Sequence, residues 1–270
     1  GLRSKSRRRR KVKRGNAASS TGNLHIDICL FTKSGPVVLV GTFSNKDNKT
    51  MVVVEPLHDR TVPSCRRALC RMIIRAQRLG GSIISRILSD REQSIESLSP
   101  ELTEIGIDVS FSQGYDSQPQ GRVETLNNIL SISARTRLQA FKHCSPKVIE
   151  SLWPAAMVHS GMSFNRRLGL KKGEEGYDLK PFGSLCKARW PPKSPKLTRV
   201  SDRCYSAIYL HESTIVRTGH LVCRVSDDGI MMEPRIACTL INVSRETSDE
   251  NGDVKNDIVF ADIKRASKKV

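Results

Sequence analysis

Residues 24–31, Leu-His-Ile-Asp-Ile-Cys-Leu-Phe, alternate between two sets of side chains and decide how the chain begins to fold. Successive side chains of a β-strand point to opposite faces, so His25, Asp27 and Cys29 share one face and the two isoleucines share the other. A charged Asp27 in the middle of such a strand is unfavourable unless it is paired or bound to a metal ion. The stretch therefore predicts a strand that carries an unusual acid.

The residues that follow predict a mixed α/β unit. Two more runs rich in apolar and β-branched residues, 36–43 and 50–54, are set off by turn-forming residues, which predicts a three-strand antiparallel meander. Beyond it the patterns predict, in order, a helix over 61–79, a strand over 82–88, a helix ending near Ile105, a strand over 107–111 and a long helix over 118–141. This order implies an α/β fold with a five-stranded mixed sheet flanked by helices.

The last third of the chain has a different texture. Residues 146–165 predict one more helix, whereas 205–210 and 221–225 predict strands of a small β-rich unit. We therefore divide the chain into four parts: a disordered basic arm (1–23), an α/β core (24–168), a small β-barrel-like domain (169–243), and a polar linker with a basic tail (244–270).

Positive charge dominates the composition but is unevenly spread. The formal net charge is +18, and nine of the first fourteen residues are Lys or Arg, including Arg7, Arg8, Arg9 and Arg10. Such a block repels itself and releases counterions when it meets a polyanion, so we predict that these arginines contact nucleic acid. A nuclear-localisation signal or a merely solvated tail stays open as the alternative.

Hydrophobic stretches in the sequence are short. No apolar run approaches the roughly 20 residues that a membrane-spanning helix needs. The first residues also lack the apolar segment of a secretory signal. We expect a soluble, intracellular protein with no membrane partner.

Three carboxylates stand at positions that the predicted elements mark out. Asp27 lies inside the first strand, Asp90 directly follows the strand over 82–88, and Glu124 lies in the first part of the long helix. Ligands of open α/β sheets bind at the carboxyl ends of strands, which is where Asp90 stands. An apolar stripe beside Glu124 would turn this acid towards the sheet.

The chemistry of three converging acids suits divalent cations. Phosphodiester transfer by two metal ions needs hard oxygen ligands that hold the ions about 3.5–4 Å apart. Clustered carboxylates repel one another without metal, so such a site binds cations and protons avidly. Taken singly, Asp90 could cap a helix, Asp27 could pair with Arg135 or a lysine, and Glu124 could be a solvated charge. Only the combination favours a metal site.

The segments around these acids resemble the integrase region of copia-type long-terminal-repeat retrotransposon polyproteins, which is related to retroviral integrases. The motifs are His25-Ile-Asp27, Leu88-Ser-Asp90 and, over residues 114–124, Gly-Tyr-Asp-Ser-Gln-Pro-Gln-Gly-Arg-Val-Glu. The likeness continues, over about residues 24–225, through Leu152-Trp153, Asn165-Arg166 and Pro181-Phe-Gly-Ser-Leu185.

This resemblance implies an RNase H-like core followed by a small β-barrel. It implies trimming of the 3′ end of element DNA and then strand transfer into target DNA, with Asp27, Asp90 and Glu124 as catalytic residues and ligands of two Mg²⁺ or Mn²⁺ ions. It also implies double-stranded DNA as partner, a homo-oligomer, and a nuclear protein held in a cytoplasmic particle before import. Tyr115 and Gln120 match DNA-contacting residues of a mobile loop, and Gly121 matches its hinge.

Several residues depart from the family pattern. Residues 1–23 hold no zinc-binding His/His/Cys/Cys module of the kind that precedes the core in the family, and Asn128 and Ser131 stand where some integrases carry lysines after the catalytic Glu. We therefore expect Arg122, Arg135 and Arg137 to supply affinity for DNA ends. Two alternatives remain: a non-catalytic DNA- or chromatin-binding relic with the same fold, and a related RNase H-like transposase or nuclease.

Overall fold

The computed structural model describes residues 21–33, 35–112, 121–170, 176–177, 179–189, 204–215, 219–225, 231–237 and 240–241. The strands in these ranges are β1 (Thr21–Leu30), β2 (Val37–Ser44), β3 (Thr50–Leu57), β4 (Ile83–Ser89), β5 (Asp108–Phe111), β6 (Leu185–Arg189), β7 (Cys204–Glu212), β8 (His220–Val225), β9 (Met231–Ala237) and β10 (Leu240–Ile241). The helices are α1 (Val62–Gly80), α2 (Gln93–Glu96), α3 (Ser99–Glu104), α4 (Gly121–Leu138) and α5 (Pro146–Arg166), with a 3-10 turn over Gln139–Phe141. Of the helices in these ranges, none is long and apolar enough to cross a membrane.

β1 lies at the centre of the first sheet, whose strand order is β3-β2-β1-β4-β5. β2 runs antiparallel to β1 and to β3, whereas β4 runs parallel to β1 and to β5. Four strands therefore point the same way and β2 points against them. This mixed five-stranded sheet with flanking helices confirms the predicted RNase H-like architecture.

The alternation in β1 sorts the helices onto two faces of the sheet. Leu24 and Ile26 are fully buried in a cluster with the apolar residues of α1, α2 and α3. Cys29 packs instead against the cluster built by α4 and α5. The face that carries His25, Asp27 and Cys29 is therefore the α4–α5 face, as the period of two predicts.

Local signals set both ends of α1 and so the position of β4. Pro63 occupies the first turn, where its missing N–H leaves no hydrogen bond unmade. Gly81 ends the helix in the left-handed conformation (φ 65°), and its N–H donates to the Gln77 carbonyl at 2.8 Å. The chain then enters β4, which ends directly before Asp90.

Some element boundaries differ from the predictions. β1 begins at Thr21, inside the stretch assigned to the disordered arm, because its first residues pair with β4 from Ile83 onward. The helix predicted to end near Ile105 is two short helices, since Pro100 cannot continue the first one. Residues 118–120, the predicted start of the long helix, lie outside the described residues.

The second sheet packs directly onto the α/β core. Its order is β10-β6-β7-β8-β9 with antiparallel pairing throughout. Trp153 of α5, 1% exposed, shares one apolar cluster with Ile208 and Leu210 of β7. The expected β-rich unit is present, but it shares a core with the first sheet, and its strands β6, β9 and β10 were not predicted.

Candidate catalytic site

Asp27 lies in the middle of β1 beneath α4. Its side chain is half-buried, and the Nδ2 of Asn127 on α4 donates a hydrogen bond to its Oδ2. Two residues further along β1, the Sγ of Cys29 lies 3.6 Å from the Oγ of Ser131 on the next turn of α4. These two contacts fix the middle of α4 along β1 and set Asp27 against it.

Asp90 stands beside Asp27 because of the register between β1 and β4. Ile26 lies opposite Ser89 in this parallel pair, so the next residue of each strand, Asp27 and Asp90, are neighbours. Adjacent strands are about 4.8 Å apart. Ser112, just after β5, donates from its Oγ to the Asp90 Oδ1 at 2.9 Å and from its N–H to the Ser89 carbonyl at 3.1 Å.

Glu124 lies in the first turn of α4 and is exposed. Residues three and seven positions apart lie on one side of a helix, so Glu124 shares its side with Asn127 and Ser131, which both contact β1. A mid-strand acid, a strand-end acid and a helix acid are thus brought to the same region of the first sheet.

The electrostatics of Asp27 show that both other acids act on it. Burial raises the pKa of the Asp27 carboxyl, the backbone N–H of Ile28 lowers it, the charge of Asp90 raises it, the Asn127 hydrogen bond lowers it and the charge of Glu124 raises it. The net change is upward. Asp27 therefore carries its negative charge at a cost that a bound cation would relieve.

The donor set fits a hard divalent cation, but its carboxylates stand apart. All three acids offer the oxygen ligands that Mg²⁺ and Mn²⁺ prefer. Within the described part of the chain, however, no three His, Cys, Asp or Glu side chains converge closely enough to ligate one ion. The tight convergence expected from the sequence is therefore not seen among the described residues.

Asn127 belongs to this site and was not predicted. It is 7% exposed, its Nδ2 is used by Asp27, and its Oδ1 is buried without a hydrogen-bond partner among the described residues. The available sequence signal was a polar residue three positions after Glu124, on the side of the helix that faces the sheet. Ser112 was also missed, since nothing in its sequence neighbourhood marks it.

Most of the predicted DNA contacts cannot be placed. Tyr115, Gln120 and residues 7–10 lie outside the described residues. Gly121 begins α4, and no atom of the described residues lies within 4 Å of the position of a Cβ there, so packing against those residues does not require a glycine. Arg122 follows in α4, but its side chain is outside the described part.

Arg135 and Arg137 differ in a way that the sequence did not reveal. Arg135 is exposed, and its charge opposes the rise in the pKa of the Cys29 thiol, which burial causes. Arg137 is half-buried; its Nε donates to the Nδ1 of His159 at 2.8 Å and its Nη1 to the Ser133 carbonyl at 3.0 Å. Arg137 therefore has a structural role through its Nε and Nη1, and its contact with DNA stays a prediction.

His159 extends this contact to the second unit. Its Nδ1 accepts from Arg137, which leaves the Nε2–H to donate to the Lys180 carbonyl at 2.8 Å. Burial lowers the pKa of His159 to about 3, so the imidazole is neutral. The end of α4, the middle of α5 and the chain leading into β6 are therefore joined by one polar network.

Comparisons with known proteins yield structural likenesses alone. No protein-family model and no curated protein sequence matches the chain. Among solved structures it is similar to the BIV integrase catalytic core domain, at 19% identity and a TM-score of 0.39 over 58% of this chain and 91% of that one. The HTLV-2 integrase catalytic core domain, in complex with magnesium in a trimeric form, is also similar. It matches at 14% identity and a TM-score of 0.39, over 58% of this chain and 91% of that one.

A third similar structure is the intasome of simian T-cell lymphotropic virus, in complex with the PP2A regulatory subunit B56 gamma. It matches at 14% identity and a TM-score of 0.41, over 83% of this chain and 78% of that one. Identities below 20% with TM-scores near 0.4 assign no activity to this chain.

Proposed function

We propose that this chain carries the catalytic core of a DNA integrase, a polynucleotidyl transferase that depends on divalent metal ions. The observation that carries the proposal is the placement of the acids. Asp27 and Asp90 are neighbours on parallel strands, and the helix of Glu124 is tied to Asp27 through Asn127. Asp90 lies at the carboxyl end of its strand, where open α/β sheets bind their ligands.

Each residue of the site has a distinct task. Asp27, Asp90 and Glu124 would hold two Mg²⁺ or Mn²⁺ ions, whose chemistry is to activate an attacking hydroxyl and to stabilise a leaving oxygen. Asn127 orients the Asp27 carboxylate, and Ser112 orients that of Asp90. The half-buried setting of Asp27 strengthens its attraction for a cation, because fewer water molecules screen the charge.

Double-stranded DNA is the proposed partner, as element end and as target. This part rests on the resemblance of the three acid motifs to copia-type integrases. Arg135 is exposed on α4 and is suited to contact the phosphate backbone. Tyr115, Gln120, Gly121 and Arg122, together with the arginines of the N-terminal arm, complete the proposed DNA contacts. Assembly of several copies and action in the nucleus rest on the same resemblance.

A non-catalytic DNA-binding relic is the second candidate function. The observation that favours it is the spacing of the carboxylates, since no three metal-ligating side chains converge among the described residues. A chain that kept the fold and its positive charge but no longer bound cations would hold DNA without processing it. The two functions differ in whether metal changes what happens to the DNA.

The first test is strand transfer on short duplex ends with Mg²⁺ or Mn²⁺. We expect the wild-type chain to join ends and Asp90→Asn to lose about a hundredfold to a thousandfold of the rate, the usual loss when one electrostatic contributor to a reaction is removed. The circular dichroism spectrum and Tm should stay unchanged. Asp108→Asn is the matched control, since it makes the same change at an exposed acid at the start of β5.

The outcomes separate the two candidates. Equal rates for Asp90→Asn and the wild type would defeat the catalytic assignment. DNA binding by a wild-type chain that joins no ends with either metal would favour the relic.

A further inference from the structure

A polar cleft opens beside the N-terminal half of β1, away from the three acids. Its volume is about 620 Å³, and it lies between β1, the end of β2 and the hairpin that joins β2 to β3. Among the described residues, the side chains that define its chemistry are Asn23, His25, Thr42, Ser44, Lys46 and Asn48. The size is that of a ligand site, for which roughly 300–1,000 Å³ is usual.

The lining argues against a small apolar ligand. Small-molecule sites are lined mostly by hydrophobic and aromatic side chains, with few polar groups. Here amides, hydroxyls, one imidazole and one ammonium group predominate, and Phe43, the single aromatic residue among the described lining, is 4% exposed. Lysine, serine, threonine and asparagine are the residues that contact phosphate and sugar in complexes with nucleic acids.

The cleft continues from the face of β1 that carries Asp27. His25 lies two residues before Asp27 on that face and pairs with Thr42 of β2. Asn23 lies four residues before Asp27, which is roughly 13 Å along a strand. One strand of a duplex advances about 3.4 Å per nucleotide, so this length corresponds to roughly four nucleotides.

The far end of the cleft is positively charged and held in shape. Asn45 accepts hydrogen bonds from the N–H of Asp47 at 3.0 Å and of Lys49 at 2.9 Å, which fixes the hairpin that carries Lys46. A smaller cleft of about 290 Å³ adjoins it and adds Lys49 and Arg78 to the lining. Among the described residues that line the two clefts, three cations and one acid, Asp47, lie near the hairpin tip. The Nζ of Lys49 also donates to the Leu168 carbonyl at 3.0 Å.

We propose that this cleft binds the sugar–phosphate backbone of the DNA strand that continues away from the reacting phosphate. The inference rests on the proposed function for the direction of the strand, because it starts from Asp27. The cleft would be a second DNA-contacting zone on the first sheet. It would bind a polyanionic chain through hydroxyl and amide groups and through the charge of Lys46.

Binding of a short fluorescein-labelled duplex in metal-free buffer, followed by anisotropy, tests the proposal without requiring catalysis. Ser44→Glu places a negative charge in the cleft, and we expect DNA affinity to fall roughly tenfold because like charges meet. Lys46→Ala should weaken binding about threefold and reduce the slope of log K against log salt by about one.

Matched controls make the same changes near the other end of β1. Ser151→Glu alters an exposed residue of α5 close to Trp153, whose ring lies 5.6 Å from that of Phe31, just beyond β1. Lys142→Ala removes an exposed lysine that follows α4. Both should bind DNA like the wild type.

If Ser44→Glu and Lys46→Ala left the DNA affinity and its salt dependence unchanged, the cleft would not be a DNA-binding site. Losses of DNA affinity as large in the two control variants would lead to the same conclusion. Failure of the integrase assignment is read separately, from strand transfer by Asp90→Asn. If the wild-type chain shows no transferase activity but Ser44→Glu still lowers its DNA affinity, the cleft remains a DNA-binding site although the integrase assignment fails.

Discussion

Glu55 on β3 and Asp27 on β1 both place a carboxylate within the first sheet, but their neighbours carry opposite charges. Glu55 is 1% exposed and meets two arginines of α1: Arg75 donates to it through Nη1, and the Arg71 Nε lies 2.9 Å from its Oε2. Asp27 is half-buried, accepts from the neutral Asn127 and is repelled by two further acids.

The difference separates a structural charge from a functional one. Removing either partner of a buried ion pair destabilises the fold, because the other charge is left buried without compensation. The net contribution of the intact pair to stability is nevertheless small. An acid repelled by neighbouring like charges holds its negative charge at a cost, and it keeps its affinity for a cation. Burial of a carboxylate alone therefore does not identify a site; the sign of its neighbours does.

The largest expected effect follows from breaking the Glu55 region. Arg75→Met leaves Glu55 with Arg71, whose side chain is 39% exposed, and removes the donor that reaches the Val54 carbonyl at 2.7 Å. We expect the free energy of unfolding to fall by about 3–5 kcal/mol, the usual cost of stranding a buried charge. Urea unfolding followed by circular dichroism measures it.

Two further variants calibrate that result. Arg78→Met changes an exposed arginine of the same helix and should alter stability by less than about 0.5 kcal/mol. The double variant Glu55→Met with Arg75→Met removes both charges and should recover most of the loss. A loss in Arg75→Met no larger than that in Arg78→Met would show that the pair is not structural.

A smaller effect is expected from acid. His211 of β7 is buried, and this burial is the main reason that its pKa falls from an ordinary value of 6.5 to about 4. The positive charge of Arg75 lowers the pKa of His211 further. The unfolded chain therefore binds more protons between pH 6.5 and 4, so stability is complete above pH 6.5 and is lost as the pH falls to 4. His159, with its pKa at about 3, acts in the same direction.

The measurement is the urea midpoint at several pH values between 7 and 4. One such histidine contributes a slope of at most about 1.4 kcal/mol per pH unit. His211→Asn should reduce the slope, whereas His58→Asn, at an exposed histidine, should not. Identical slopes in wild type and His211→Asn would contradict a neutral buried imidazole at this position.

The smallest effect is expected at Asp27 itself. In metal-free buffer, Asp27→Asn removes a repelled charge, so stability should stay equal or rise, within about 1 kcal/mol for a partly solvated group. Mg²⁺ should raise the Tm of the wild type but not of the variant, because a ligand stabilises only the state that binds it. If Asp27→Asn lowered the free energy of unfolding as much as Arg75→Met does, Asp27 would have a structural role like that of Glu55.

The outline of the first sheet was predictable because it depends on local patterns. Alternation in residues 24–31 assigned the two faces of β1, and Gly81 marked the end of α1. The partners across these faces were not predictable. Asn127 is one hundred residues from Asp27, and its polar side chain alone does not reveal which strand it meets.

Arg137 and the second sheet show the same limit. Arg137 was expected to contact DNA because Asn128 and Ser131 stand where some integrases carry lysines; the sequence did not show that α5 places His159 against its guanidinium. The β-rich unit was expected as a separate domain, yet Ile208 and Leu210 complete the cluster around Trp153. In both cases the partner belongs to another element: α5 supplies His159 for the polar side chain of Arg137, and β7 supplies apolar side chains for Trp153.

The sequence by itself determined the order along the chain of the strands in the first sheet, the two faces of β1 and the three acids that stand at marked positions, because period, turn residues and caps act within a few neighbours. Only the tertiary structure decided which charges are neutralised, which are left to repel one another, and where a polar cleft opens. Those properties depend on distances between elements far apart in the chain, and electrostatic energies change steeply with such distances and with burial.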